Sequence, residues 1–179
     1  MEKLIKRRLS KRFYLLVGFA LCIAFVVAWL LLPVHVLQAT DDEEHLLSLE
    51  PVQAGMSILY NYTHSVEKCP MQEQFFVGEQ FELILHTSWN CNFGAGIASE
   101  LPKGSSGSFK DGSYVMENIN QVIPALFLHP VKIANQTLTV GPNTWRLSEH
   151  PFVGKTITIK VDRQPRYEYL MNKVSFLKG

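Results

Sequence analysis

The chain has 179 residues, a formal net charge of +1 and 18% charged side chains, which is below the usual charged share of a globular protein. Its basic residues concentrate at the N-terminus, so the remainder lacks the basic face that a nucleic-acid-binding domain presents. These values argue against nucleic acid as a partner. They leave room for one ordinary domain after an N-terminal targeting segment.

The N-terminal segment predicts a membrane anchor. Residues 1–12 contain six lysines and arginines, and residues 13–32 form an unbroken apolar run without charge. A helix of this length spans the roughly 30 Å hydrocarbon core of a bilayer. Because flanking positive charges stay in the cytoplasm, we expect a single-pass protein of the cell membrane, with the N-terminus cytoplasmic and the main domain extracytoplasmic.

A cleaved signal peptide is the alternative to a retained anchor. The apolar region of a signal peptide is usually about 7–15 residues long, which is shorter than this run. The nearest cleavage sequence, Leu37-Gln38-Ala39, has a bulky residue where a small one is preferred. We therefore expect the anchor to be retained.

After the anchor, the sequence predicts a polar linker over residues 33–51 and a domain of short strands over residues 52–163. Residues 101–112 are rich in Gly, Ser and Lys and predict a mobile loop. Alternating apolar residues and turn signals predict strands at 56–63, 74–77, 81–89, 113–117, 125–128, 136–140, 144–147 and 156–161. This pattern indicates a mainly β fold, either a small antiparallel sandwich or a barrel.

The C-terminal tail, residues 164–179, differs from the strands before it. Tyr167, Leu170, Met171 and Val174 recur at helical spacing and predict a short helix. The simplest role for this helix is to cover an open end of the sheet. A helix that lies on the membrane or docks a partner is the alternative.

The densest polar stretch follows the first predicted strand. It contains His64, Ser65, Glu67 and Glu73. Imidazole and carboxylate groups are ordinary ligands of divalent metals, so His64, Glu67 and Glu73 are candidates for binding a metal or a cationic group. Their spacing matches no strong metal signature, and a turn in which a carboxylate holds His64 is the simpler interpretation.

Catalysis by the same stretch is not expected. Neighbouring residues on a strand point to opposite faces, so Ser65 is poorly placed to use His64 as its base. No nucleophile-elbow sequence is present in the chain. We expect a protein that is not an enzyme and that needs no cofactor.

A second candidate segment is Gly94-Ala95-Gly96, whose backbone N–H groups can bind an anion, although a bulge or tight turn is the more common cause of such a segment. Cys69 and Cys91 are the two cysteines outside the apolar run, and each borders one of the two candidate segments. In an oxidising compartment we expect a disulfide between them. That bond would join the two segments into one composite site.

The two segments also carry a family resemblance. His64-Ser65-Val66-Glu67, then Pro70 and Glu73, then Gly94-Ala95-Gly96, resembles the signature of the bacterial family called domain of unknown function 1850. The resemblance extends over residues 56–162. It establishes no catalytic or ligand residue for this chain.

What the resemblance implies is an accessory role in transport. Members of that family are small anchored proteins encoded beside tripartite ATP-independent periplasmic (TRAP) transporters of the type whose solute receptor belongs to the TAXI class. The resemblance implies that this chain binds the TAXI-type receptor or the TRAP-type permease. The alternative function is a sensor or secondary receptor that binds a small solute or a metal at the candidate residues, and a hydrolase is the least favoured.

Overall fold

The computed structural model describes residues 2–91 and 101–178, with side chains over 13–91 and 101–176. The described part contains helices α1 (Glu2–Leu31) and α2 (Arg166–Lys178) and one short 3-10 helix (Lys132–Ala134). Its twelve strands are β1 (Pro33–Asp41), β2 (Leu46–Pro51), β3 (Ser57–Thr63), β4 (Pro70–Val77), β5 (Leu83–Asn90), β6 (Ser106–Lys110), β7 (Ser113–Glu117), β8 (Gln121–Ile123), β9 (Leu126–Leu128), β10 (Thr137–Val140), β11 (Asn143–Arg146) and β12 (Ile157–Pro165). This content confirms the predicted mainly β fold with an N-terminal apolar helix and a short C-terminal helix.

Helix α1 contains one segment, Phe13–Leu31, that is long and apolar enough to cross a membrane. Its side chains are exposed in the protein, as expected of a helix whose apolar surface is covered by lipid. A signal sequence near an N-terminus passes the same test of length and composition, so the segment fits either a membrane anchor or a signal sequence.

The strands form two antiparallel sheets in a β domain that comprises His35–Asp162. The small sheet has the strand order β2-β1-β12-β9, and the large sheet has the order β11-β10-β3-β4-β5-β7-β6, with β8 also paired to β5. Both sheets contribute to a single apolar core, whose fully buried members include Leu37, Ile58, Phe75, Leu138, Ile157 and Ile159. Two sheets that share one core form a sandwich, which decides between the two predicted architectures.

The linker predicted over residues 33–51 is wrong, because this segment forms β1 and β2 of the small sheet. Val36, Leu37 and Ala39 are fully buried, so β1 contributes to the core directly. The acidic residues after β1 form the turn of a hairpin, since Ala39 pairs with Ser48 and Leu37 pairs with Glu50. Only Leu32 lies between α1 and β1 in the chain.

A buried ion pair fixes this hairpin to the end of the small sheet. Asp41 is buried, and its carboxylate accepts hydrogen bonds from the backbone N–H of His45 at 2.8 Å and from Lys155 Nζ at 2.8 Å. The hydrogen bond from Lys155 lowers the pKa of Asp41 to about 2, although burial acts in the opposite direction. The chain therefore keeps Asp41 ionised at every physiological pH.

Replacing Asp41 with asparagine is expected to destabilise the β domain in a pH-dependent way. Because the folded-state pKa of Asp41 lies below its ordinary 3.8, the carboxylate stabilises the fold above about pH 4 and loses this effect as the pH falls toward 2. Circular dichroism should show a lower melting temperature for the variant than for wild type at pH 7. At pH 3 the difference between the two melting temperatures should be smaller. The exposed neighbour Asp42, changed to asparagine, is the control. Equal melting temperatures at pH 7 would contradict this role.

The mobile loop predicted over residues 101–112 is also wrong in part, because Ser106–Lys110 forms β6 and pairs with β7. Gly107 makes this strand possible despite its weak apolar pattern. A Cβ atom at Gly107 would overlap the hydroxyl of Tyr114, so the missing side chain makes room for the tyrosine ring. The Lys110 Nζ also bonds the Glu117 carboxylate at 2.9 Å across the pair.

Candidate functional site

A row of polar side chains crosses the inner face of the large sheet, the face that carries the core residue Phe75. Tyr60 on β3 lies opposite Glu73 on β4, and Glu73 lies opposite Ser88 on β5. Tyr62 is two residues beyond Tyr60 and points to the same face, and the two tyrosine rings stack with their centroids 4.9 Å apart. The register therefore gathers a carboxyl and three hydroxyl groups where an apolar row would be expected.

Glu73 is the central member of this row, and it is partly buried. Burial raises the pKa of Glu73, while a hydrogen bond donated by the Tyr62 hydroxyl acts in the opposite direction. Burial, with the nearby Glu73 charge, also raises the pKa of Tyr62 to about 12. Within the described part of the chain, none of the ion pairs includes Glu73. The site therefore holds a carboxyl group that is poorly hydrated and that forms no ion pair with the described side chains.

Amide side chains extend the row at both ends. Gln136 Nε2 donates to the Tyr60 hydroxyl at 2.9 Å, and Asn90 Nδ2 donates to the Ser88 hydroxyl at 3.2 Å. Ser88 and Asn90 are both buried, which ties their orientation to the fold of β5. We call this set the inner-face polar cluster, and its members are Tyr60, Tyr62, Glu73, Ser88, Asn90 and Gln136.

The turn between β3 and β4 begins at His64, and its backbone closes two hydrogen bonds. The N–H of His64 donates to the carbonyl of Cys69 at 2.9 Å, and the N–H of Lys68 donates to the carbonyl of His64 at 3.0 Å. The imidazole Nδ1 accepts the backbone N–H of Glu67 at 3.1 Å. His64 therefore stabilises a turn, as the simpler interpretation of the sequence proposed, although a backbone amide takes the place of the expected carboxylate.

A family model described as Domain of unknown function (DUF1850) matches residues 58–147, which is half of the chain. The chain belongs to the DUF1850 family. The matched residues include every member of the inner-face polar cluster and the turn that begins at His64. No curated protein and no solved structure gives a significant match.

The described residues of the predicted metal set, His64, Glu67 and Glu73, do not come together as one ligand set. Ser65 and Glu67 are exposed on the turn after His64, whereas Glu73 lies within β4 on the inner face. Among the described residues, no three His, Cys, Asp or Glu side chains are close enough to hold a metal ion. The predicted set of His64, Glu67 and Glu73 is therefore divided between a turn and a polar row. Gly94, Ala95 and Gly96 lie outside the described residues.

Cys69 and Cys91 form a disulfide, with their Cα atoms 6.0 Å apart. The bond joins the residue before β4 to the residue after β5, at the open end of the β4–β5 hairpin. The hairpin turn lies at the opposite end, where the N–H of Gly78 donates to the carbonyl of Glu82 at 2.8 Å. The disulfide therefore fixes the end of the DUF1850 domain nearest to Asn90 and the His64 turn.

Five members of the inner-face polar cluster were missing from the residues expected from sequence: Tyr60, Tyr62, Ser88, Asn90 and Gln136. A register shift in β5 explains the omission of Ser88 and Asn90, since Phe75 pairs with Leu85 but Gln74 pairs with Thr87. This bulge at His86 reverses the faces of the following residues. Strict alternation from Leu83 would place Trp89 inside and Ser88 outside, and the structure has the reverse.

Proposed function

We propose that this DUF1850 protein is a membrane-anchored accessory protein of a TRAP-type solute transporter. Its β domain acts outside the cytoplasm and binds the TAXI-type solute receptor or the TRAP-type permease. Family membership supports the association with a transporter, and the apolar helix supports the location. The binding role is supported by the inner-face polar cluster.

The charges around α1 support the orientation of the anchor. Six basic residues precede the apolar segment Phe13–Leu31, which favours a cytoplasmic N-terminus. The single residue between α1 and β1 gives the β domain almost no tether, so a retained helix confines the domain to the membrane surface. A domain with so little reach is suited to a partner that is itself in the membrane or visits it.

The observation that carries the binding role is the environment of Glu73. Burial raises the pKa of this carboxyl, and none of the ion pairs of the described residues neutralises it. Such a group costs stability at neutral pH, and carboxyl groups whose pKa is raised by burial occur at functional sites. Two stacked tyrosines and buried hydroxyl and amide groups surround it. A guanidinium or ammonium group of a partner protein would complement this set.

Direct binding of a small solute is the second candidate function, and a groove favours it. This groove of about 300 Å³ opens at the end of the large sheet that carries Tyr62 of the inner-face polar cluster. Its lining mixes polar and apolar side chains and includes Asn61, Tyr62, Thr63, Met71, Gln72 and Trp89. Amide and hydroxyl groups beside an aromatic ring are suited to a small organic solute.

Capture of partners from native membranes distinguishes the two functions. Tagged full-length protein, purified after gentle solubilisation, is expected to retain a TRAP-type permease or receptor. Glu73→Gln should reduce this recovery at least about tenfold, because removing one partner of a desolvated charge pair costs roughly 2–5 kcal/mol of binding. Glu79→Gln is the matched control, since Glu79 is exposed on the turn at the other end of the hairpin.

Each outcome of the capture has a definite meaning. Recovery of a transporter subunit with wild type and Glu79→Gln, but not with Glu73→Gln, would support the accessory role and locate its surface. Equal recovery with all three proteins would place the interface elsewhere on the domain. Recovery of the protein alone in every case would reject the accessory role and leave binding of a small solute as the favoured function.

A further inference from the structure

Helix α2 exposes its apolar stripe. Tyr167, Leu170, Met171 and Val174 recur at intervals of three and four residues and therefore lie on one face of the helix. Their side chains are 44%, 38%, 69% and 48% exposed. A helix of a water-soluble domain turns such a stripe toward the core, so the stripe of α2 indicates a covering surface outside the chain.

The more buried residues of α2 lie away from this stripe. Tyr169, Asn172 and Lys173 are each partly buried, and Tyr169 and Asn172 lie about half a turn away from Val174. The apolar stripe is therefore more exposed than these polar and amphipathic side chains, and Phe176 is a further exposed apolar residue outside the stripe. An exposed apolar stripe is the reverse of the usual arrangement in an amphipathic helix of a water-soluble domain.

The start of α2 is fixed to the end of the membrane-directed helix α1. The N–H of Arg166 donates to the carbonyl of Leu32 at 3.0 Å, and its guanidinium lies 4.5 Å from the centroid of the Trp29 ring. Trp29 is near the C-terminal end of the apolar segment Phe13–Leu31. Tryptophan and arginine side chains at the end of a span favour the interface between lipid and water. Helix α2 therefore begins at the depth of the lipid headgroups.

We propose that α2 is an interfacial helix that lies on the outer surface of the membrane with its apolar stripe in lipid. The retained anchor of the proposed function is assumed. The contact of Arg166 with the end of the span favours lipid over a protein partner, because it places the first turn of α2 against the bilayer. The helix also carries three basic residues and one acidic residue, which favours a surface of anionic lipid.

Accessibility of single cysteines in vesicles tests this inference. Val174→Cys and Glu168→Cys are each made in a Cys22→Ser background, since the disulfide-bonded Cys69 and Cys91 do not react. The purified full-length chains are reconstituted into vesicles of phosphatidylcholine and phosphatidylglycerol. A water-soluble maleimide should label position 174 roughly tenfold more slowly than position 168, the factor that corresponds to about 1.4 kcal/mol of burial.

A second measurement on the same proteins detects lipid directly. An environment-sensitive dye at position 174 should be quenched by spin-labelled lipid, and the same dye at position 168 should be quenched much less. Equal labelling rates and equal quenching in vesicles would overturn the inference. If position 174 were protected only in native membranes, a protein would cover the stripe, and the assignment to lipid would also be overturned.

Failure of this inference is separable from failure of the proposed function. The vesicles contain no transporter, so a wrong partner would leave the labelling result unchanged. A cleaved anchor would appear independently as a shorter chain by mass spectrometry of protein from native membranes. Loss of protection at position 174 in a chain of full mass would therefore contradict the interfacial helix alone.

Discussion

Replacing both Cys69 and Cys91 with serine is expected to lower the free energy of unfolding of the β domain by about 3 kcal/mol, or the melting temperature by about 10 °C. The disulfide joins residues 22 positions apart in the sequence, and its removal frees the unfolded chain to sample many more conformations. It also releases the open ends of β4 and β5. These strands carry Glu73 and Ser88 of the inner-face polar cluster.

Circular dichroism of the full-length protein in detergent micelles measures this effect through the β-sheet signal. Wild type under reducing conditions should melt close to the double variant, because both lack the covalent link. Cys22→Ser is the control, since Cys22 is in the apolar segment and forms no disulfide. A melting temperature that is unchanged by reductant would show that the hydrogen bonds of the hairpin, not the disulfide, hold its open end together.

The sequence predicted local features of the fold more accurately than long-range ones. Most strands from 57 to 165 followed from alternation and turn residues, although β6 and β8 did not, and the C-terminal helix followed from helical spacing. Strands β1 and β2 could not be recognised in the same way. Asp41 is an unfavourable residue for a buried strand until Lys155, 114 positions away, supplies its ion pair. A run of four acidic residues therefore resembles a solvated linker in sequence and forms a hairpin turn in three dimensions.

The candidate site could be predicted only in part, again because its residues come together through long-range contacts. The signature motif identified Glu73, which has the most perturbed environment among the motif residues that the structure describes. Glu67 and Glu73 are close in sequence but do not form one site, because Glu67 lies on the exposed turn and Glu73 points inward from β4. The partners of Glu73 on β5 depend on a bulge at His86, and a bulge leaves no signal in hydrophobic periodicity.

Glu73 is expected to have opposite effects on stability and on binding. Its folded-state pKa is raised above the ordinary 4.5, so the folded chain binds this proton more tightly than the unfolded chain. The contribution of the carboxyl to stability is therefore complete below about pH 4.5 and is lost as the pH rises through the folded pKa. At pH 7 the ionised, partly buried group destabilises the fold. Glu73→Gln removes that charge and keeps the shape of the side chain.

We expect Glu73→Gln to be more stable than wild type at pH 7, by roughly 1 kcal/mol, and no more stable at pH 4. Thermal melts at the two pH values measure this difference, and Glu79→Gln should match wild type at both. The same variant should lose at least about tenfold in partner recovery. A residue with a structural role would lose stability and binding together when replaced. A variant that gains stability but loses partner binding would identify Glu73 as a carboxyl group maintained for recognition. A Glu73→Gln variant that is less stable than wild type at pH 7 would contradict this role.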